Sequence, residues 1–441
     1  MTGVDINIMV CYTERVTANA LYLQKGSNYM YTLYGDGVHD DTLALQELLD
    51  TKKEIILPEP DAFYLVSKTL LIGSNTRLVL PRFAEIRLKD GSNCPLLRNK
   101  TVDKPAERLP AGLGAWQKFL ALHENKYSPD PEDTTVNIEI VGGIWNFNNM
   151  GQNPNPLQSK DMSIPDFTGY GMLFHNVKNF RLSSLTLKDP TNFAVTLDRT
   201  SYFNVDDITF DYNNGNPVSL NMDGIHVNGN CYFGCIRNLR GACRDDLVAL
   251  NADEGSGGPI SDILVDGVFA EECHSAVRLL SVKYPVERVR ITNVYGTYYQ
   301  YCVGISKFYP GEHASFFDAI TLDHIYAAKA ERKPHLHPNP KGYVYPLIWV
   351  EGNLRVRNLS VTALHRREYN VAVETLHIGP NTAIENLILD DITEENRSGL
   401  EMPFLVNKGK VICGTVRNVR AEGAIVNAGE MPGDMLTALG V

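Results

Sequence analysis

Short alternating segments, rather than long amphipathic ones, dominate the hydrophobic pattern of this chain. Residues 136–143, 177–182, 202–208, 260–265, 286–291 and 383–389 place apolar side chains at every second position behind polar turn residues, at spacings of roughly 22 to 30 residues. Period-two alternation predicts strands with one face turned inward. Strands this short can bury that face only by stacking on the next copy of the repeat. The pattern therefore predicts an all-β fold, a right-handed parallel β-helix.

Helical spacing is concentrated at residues 40–49, where Asp40 and Asp41 precede Leu43, Leu45, Leu48 and Leu49. A short capping helix is predicted there, covering the N-terminal end of the coil, whose open strand edge would otherwise pair with other chains. The organisation expected is a single domain over 1–441, with an N-terminal extension (1–30), a capping segment (31–60) and rungs (61–430). Residues 99–135 and 309–345 break the period, and solenoid insertions map to loops around the binding face.

Composition narrows the partners. The 441 residues are 44% hydrophobic with no Pro/Ser/Gly-rich linker, which suits one extended core. A formal net charge of −11 lacks the basic footprint that nucleic acids and anionic membranes require, so neither is expected. No apolar run reaches the ~18 residues of a membrane span. The first residues lack the basic start and apolar stretch of a leader, so the expectation is a soluble chain, cytoplasmic as written or secreted if a leader has been removed. Eight scattered cysteines do not form a disulfide scaffold. Cys231 and Cys235 have CxxxC spacing without a second pair and read as small buried fillers. His335 and His337, between Pro334 and Pro338, have no acid at ligand spacing and read as a solvated loop. No metal and no cofactor are expected.

The candidate chemistry lies in two similar stretches, Asn221-Met222-Asp223-Gly224-Ile225-His226-Val227 and Arg244-Asp245-Asp246-Leu247-Val248-Ala249-Leu250. Each runs from carboxylate into a short apolar strand. Asp223 and Asp245 are 22 residues apart (245 − 223), about one rung, which predicts that Asp223, Asp245 and Asp246 meet on one face. Glycosidic cleavage uses such a set, one protonated carboxyl for the leaving oxygen and a carboxylate to activate water or attack. Crowding raises at least one of their pKa values. His226 reads as a surface histidine, with a cleft-facing position as the alternative. Arg244 either binds an anionic sugar or neutralises the acid pair. Tyr295, Tyr298, Tyr299, Tyr301, Phe308 and Tyr309 divide between a sugar-stacking platform and core positions.

These residues carry a family resemblance. Gly35-Asp36-Gly37-Val38-His39-Asp40-Asp41-Thr42 resembles the GDGxxDDT opening of the pectin-lyase-like β-helix superfamily. Gly143-Ile144-Trp145-Asn146, Leu185-Thr186-Leu187-Lys188-Asp189-Pro190, Asn221-Met222-Asp223-Gly224, Asp245-Asp246-Leu247 and Cys273-His274-Ser275 follow in order the pattern of glycoside hydrolase family 28, the polygalacturonases and their relatives. The resemblance covers about residues 30–310. It implies Asp245 as the proton donor, Asp223 and Asp246 holding the water, His274 tuning that proton or binding a hydroxyl, and inversion at the anomeric carbon. The family's Asn-Thr-Asp, Gly-Asp-Asp-Cys and Gly-His-Gly are Asn-Met-Asp, Arg-Asp-Asp-Leu and Cys-His-Ser here. The family's Arg-Ile-Lys, which grips a substrate carboxylate, falls on Ile305-Ser306-Lys307, leaving Lys307, Arg278 and Arg244 as candidate anion-binding residues, with His226 and Asn221 also at the substrate.

The function expected is hydrolysis of a pectin-like oligo- or polysaccharide, exo-acting because the insertions wall off the cleft. A lyase or epimerase on the same scaffold and a non-catalytic, tailspike-type glycan-binding β-helix are the alternatives. Oligomeric state is not legible in the sequence.

Overall fold

The computed structural model describes residues 21–24, 30–100, 134–153, 169–216, 221–309, 311, 315–331, 344–369 and 371–441. The expected insertion at 99–135 falls mostly outside them, at 101–133, as does the His335/His337 pair. The interruption expected over 309–345 is not one continuous loop: 310, 312–314 and 332–343 lie outside the described residues, but between them Ser315–Lys329 is a regular strand of the coil, paired in parallel with Val286–Tyr298 and Leu354–Glu368, because Phe317, Ile320, Leu322 and Ile325 supply its inward face.

The chain winds into the right-handed parallel β-helix that the period-two pattern predicts. One 12-stranded parallel sheet runs from Leu70–Ile72 to Ile425–Asn427 and includes Val195–Asp198, Ile225–Asn228, Asp246–Asn251, Ser275–Leu280 and Val303–Ser306. The other sheet has 15 strands and carries the long segments, among them Val177–Lys188, Cys231–Ala242, Val286–Tyr298 and Lys410–Ala421. These are too long to lie on one flat face, and each bends at an in-register residue with positive φ: Ser184, Asp207, Asn238, Gly267, Asn293, His324, Ala363, Asp391 and Asn418. Asn, Asp and Gly supply most of this column because their left-handed conformation costs least. The bend splits the sheet into two faces, so the coil has three.

Inward positions stack like on like. Phe174, Leu197, Val227, Leu250, Leu279, Ile305, Val350 and Ile378 follow one another up the 12-stranded sheet, and all are buried. Gly234 shows how tight this is. Phe203 of the preceding rung fills its place, and a Cβ there would lie 2.0 Å from the ring. Cys231 is a buried filler whose sulfur accepts the Thr200 N–H, and no disulfide occurs among the described residues.

Helix Thr42–Thr51 covers the first rung, burying Ala44, Leu45, Leu48 and Leu49. Its Gln46 amide continues the sheet by donating to the Leu71 carbonyl at 3.0 Å and accepting the Leu71 N–H at 2.8 Å, so a side chain pairs the open edge of Leu70–Ile72. Asp41 does not cap the helix with its side chain, contrary to the simple reading of the acidic pair. Its buried carboxylate turns back to the N–H groups of Tyr34, Gly35 and Leu65, while Asp40 accepts from Thr42. At the other end a second helix, Gly433–Ala438, packs Met435 against the last long strand, a cap that carried no readable sequence signal. No helix among the described residues is long and apolar enough to cross a membrane.

Candidate active site

Asp223, Asp245 and Asp246 converge at the N-terminal ends of adjacent strands of the 12-stranded sheet. Ile225–Asn228 pairs in parallel with Asp246–Asn251, and that strand with Ser275–Leu280, which His274 immediately precedes. Gly224 makes the approach possible, because a Cβ there would sit 2.5 Å from the Leu247 carbonyl oxygen. Asp223 accepts the Asp246 N–H at 3.2 Å, joining the two motifs directly. Beneath them Cys243 and Cys273 pack with their sulfurs 3.6 Å apart.

The three carboxyls have different surroundings. Asp246 is buried, accepts the Ser275 hydroxyl and the Tyr301 hydroxyl (3.1 Å), and lies 3.6 Å from the Arg278 guanidinium. Asp245 keeps 18% of its side chain exposed and lies 3.3 Å from His274 Nδ1. Burial, reinforced by the negative charges of Asp246 and Asp223, holds its pKa well above the ordinary carboxyl range. Arg278 and the Asn221 N–H oppose that rise. Asp223 is pushed up to about 6 by burial, with His226 pulling the other way. Asp245 is thus the carboxyl suited to carry a proton at neutral pH, while Asp223 is suited to lose one.

His226 overturns the surface reading. Its side chain is 1% exposed, stacked on Phe193 at 3.7 Å between centroids, and fixed at both nitrogens: Nδ1 to Asp223 at 2.6 Å, Nε2 to Glu254 at 2.8 Å. Burial disfavours the imidazolium, but the hydrogen bonds to Asp223 and Glu254 outweigh it and raise the pKa to about 10. A histidine donating from both nitrogens is a cation. Period-two alternation correctly sends His226 away from the core, but the 252–258 loop then folds over it. Glu254 comes from that loop, which Ser256 ties to Asp198 through its N–H (3.1 Å) and hydroxyl (2.9 Å). Sequence reading missed Glu254. The available signal was spacing, since Glu254 follows His226 by 28 residues (254 − 226), about one rung.

The remaining candidates separate. Arg278 lies under the exposed ring of Phe308, 4.6 Å from its centroid, with Nε donating to Ser306 at 3.2 Å. Arg244 donates to the carbonyls of Tyr212 and Asn213. Lys307 Nζ donates to the Gly311 carbonyl at 2.7 Å. Asn221, with φ of 54°, reaches Asp245 through its backbone. The aromatic run does not form one platform. Tyr298, Tyr299, Tyr301 and Tyr309 are buried, and the Tyr301 and Tyr309 hydroxyls serve Asp246 and Glu254. Tyr295 stacks between Phe269 and Tyr326 on the other sheet, and Phe308, 54% exposed, lies against the Arg278 guanidinium.

Asp245, Asp246 and His274 bring potential metal-ligand atoms within 4.8 Å of one another. Asp246 is already engaged by Ser275 and Tyr301, and a cation would face Arg278. The arrangement suits proton transfer and hydrogen bonding better than metal ligation.

No protein-family model and no curated protein sequence matches the chain. Among solved structures it is similar to a family 28 exopolygalacturonase of Yersinia enterocolitica, with a TM-score of 0.53 and 12% identity over 88% of this chain and 77% of that one. The surface adhesin PfbA of Streptococcus pneumoniae gives a TM-score of 0.49 at 15% identity over 90% and 91% of the two chains. An endo-xylogalacturonan hydrolase of Aspergillus tubingensis gives 0.47 at 14% over 89% and 98%. The likeness to the exopolygalacturonase is one of fold and agrees with the pectin-lyase-like β-helix suggested by the motif order.

Proposed function

We propose that the chain is a glycoside hydrolase acting on a pectin-like oligo- or polysaccharide, with Asp245 as general acid and Asp223 as the carboxylate that orients and deprotonates water. One observation carries the reading. Two neighbouring carboxyls are pushed to different proton affinities, Asp245 by burial and two adjacent acids, Asp223 to about 6 with a histidine cation at its side. Opposed environments of this kind assign acid and base. Asp245, the most exposed of the three, faces the leaving oxygen, and protonation there lets the anomeric carbon develop oxocarbenium character. Asp246, held by Ser275, Tyr301 and Arg278, stands beside Asp245 and contributes to its raised proton affinity. His274 orients the Asp245 carboxyl.

Inversion and exo-action belong to the same proposal, the first resting on the family resemblance and the second on the break in the sequence repeat at 99–135. Incubation with cell-wall oligosaccharides, followed by reducing-end detection and proton NMR of the first-formed anomer, tests all three parts. The near-complete burial of Asp223 and Asp246 favours a second reading, a glycan-binding coil without catalysis. That reading expects binding with no reducing ends released and no loss of affinity in Asp245→Asn. An unsaturated product absorbing in the ultraviolet would instead indicate a lyase.

A further inference from the structure

We propose, resting on the hydrolase reading, that Lys329 is a positioning residue for the reaction, holding the short connection 299–302 through which His274 and Tyr301 are set against Asp245 and Asp246. This connection joins strand Val286–Tyr298 to strand Val303–Ser306. On one side it touches the site three times. The Gln300 N–H donates to the His274 carbonyl at 2.9 Å, the Tyr299 ring meets the His274 imidazole edge-on at 5.2 Å between centroids, and the Tyr301 hydroxyl donates to Asp246 at 3.1 Å. On the other side, the Tyr299 and Gln300 carbonyls accept from Lys329 Nζ, the first at 3.4 Å. The Tyr299 carbonyl and the Gln300 N–H belong to one planar peptide, so Lys329 and the His274 main chain hold that peptide from opposite edges.

In the regular rungs a neighbouring strand supplies such donors. Here the ladder between Val286–Tyr298 and Ser315–Lys329 closes where the Ala330 N–H meets the Tyr298 carbonyl, and a side chain serves the next two carbonyls. Lysine is a costly choice for this, because its side chain is fully buried and a buried charge requires partners. The fold supplies them. Glu368 accepts the Lys329 main-chain N–H at 3.0 Å and pairs with the buried Arg366 at 2.7 Å, which also donates to the Val373 carbonyl and the Thr375 hydroxyl. Burial and the Arg366 charge lower the Lys329 pKa to about 7, with Glu368 opposing; ammonium and amine both keep enough N–H donors for the two carbonyls. Without Lys329 the connection must shift to find other donors, and a displacement of about 1 Å at reacting groups costs about 10²-fold in rate.

The test is a double-mutant cycle on hydrolysis of one oligosaccharide, with Lys329→Met, Tyr301→Phe and the pair, each shown to be folded by urea unfolding. Each single substitution is expected to lower kcat at least tenfold with KM within threefold. The pair is expected to fall no more than threefold below Lys329→Met alone, because the Tyr301 hydroxyl is already displaced there. A lysine that only stabilises the coil would lower the urea midpoint and leave kcat of the folded variant unchanged, or give losses that multiply. Either result overturns the inference and leaves the hydrolase reading standing. No reducing ends from wild type on any oligosaccharide removes the hydrolase reading and this role together. Should Lys329→Met not fold, Lys329→Gln, whose amide keeps two N–H donors, takes its place with the same expectations; failure of both to fold makes the lysine structural and overturns the inference.

Discussion

Replacing Glu254 with Gln removes one of the two charges that hold His226 as a cation while keeping a side-chain acceptor at the same position. The rise of the His226 pKa from 6.5 to about 10 corresponds to on the order of 5 kcal/mol in favour of the imidazolium, shared between Asp223 and Glu254. Half of that, reduced by the hydrogen bond the amide retains, leaves an expected loss of about 2 kcal/mol at neutral pH. The direction with pH follows from the folded value lying above the unfolded one. The stabilisation is complete below about 6.5 and is lost as pH rises through about 10. Urea unfolding at several pH values should therefore show wild type losing stability between pH 7 and 10, with Glu254→Gln starting lower and losing less over that window. NMR of isotope-labelled histidine should place the His226 titration far above 6.5 in wild type and lower in the variant. A wild-type His226 titrating near 6.5, or identical pH slopes for the two proteins, would refute the reasoning.

Two further outcomes are expected. Because Asp223 must be ionised to act on water and is raised to about 6, kcat/KM should fall on the acid side near pH 6, while its contribution to stability, present below 3.8, is lost as pH rises through about 6; a pH–rate profile flat from 4.5 to 7 would contradict the assignment. Gln46→Ala should destabilise by about 1–2 kcal/mol through the two lost hydrogen bonds and increase self-association through the opened edge of Leu70–Ile72, measured by urea midpoint and light scattering; an unchanged midpoint would show that the edge needs no side-chain partner.

The sequence exposed those parts of the molecule in which the repeat itself encodes position. Alternation at 177–182 or 286–291 reads as an inward-facing strand, and rung spacing carries Asp223 to Asp245 because each coil returns the chain to the same face. The bends at Asn238, Asn293 and Asn418 were also legible in principle, since asparagine recurs there, but two-residue alternation does not reveal a left-handed corner. Contacts made by loops across rungs were hidden. His226 sits at an outward strand position, and only the fold of 252–258 buries it and brings Glu254 to its Nε2. Tyr301 and Tyr309 could be read either as stacking surfaces or as core positions, because a ring's side-chain type does not tell which way its hydroxyl points; in the fold both rings are buried and those hydroxyls serve Asp246 and Glu254. Arg278 stood out as an anion-binding candidate, and its neutralisation by Asp246 appears only when the two strands are placed side by side.

The central claim is that Asp245 is a proton donor in glycoside cleavage. Its most direct test is reducing-end release by wild type and by Asp245→Asn on the same oligosaccharide panel, with binding of each measured in parallel. The account expects wild type to release reducing ends, and the variant to bind comparably while kcat falls by about 10²–10⁴, the range for losing a general acid. Full kcat in the variant, or no release by wild type on oligosaccharides that it binds, would contradict it.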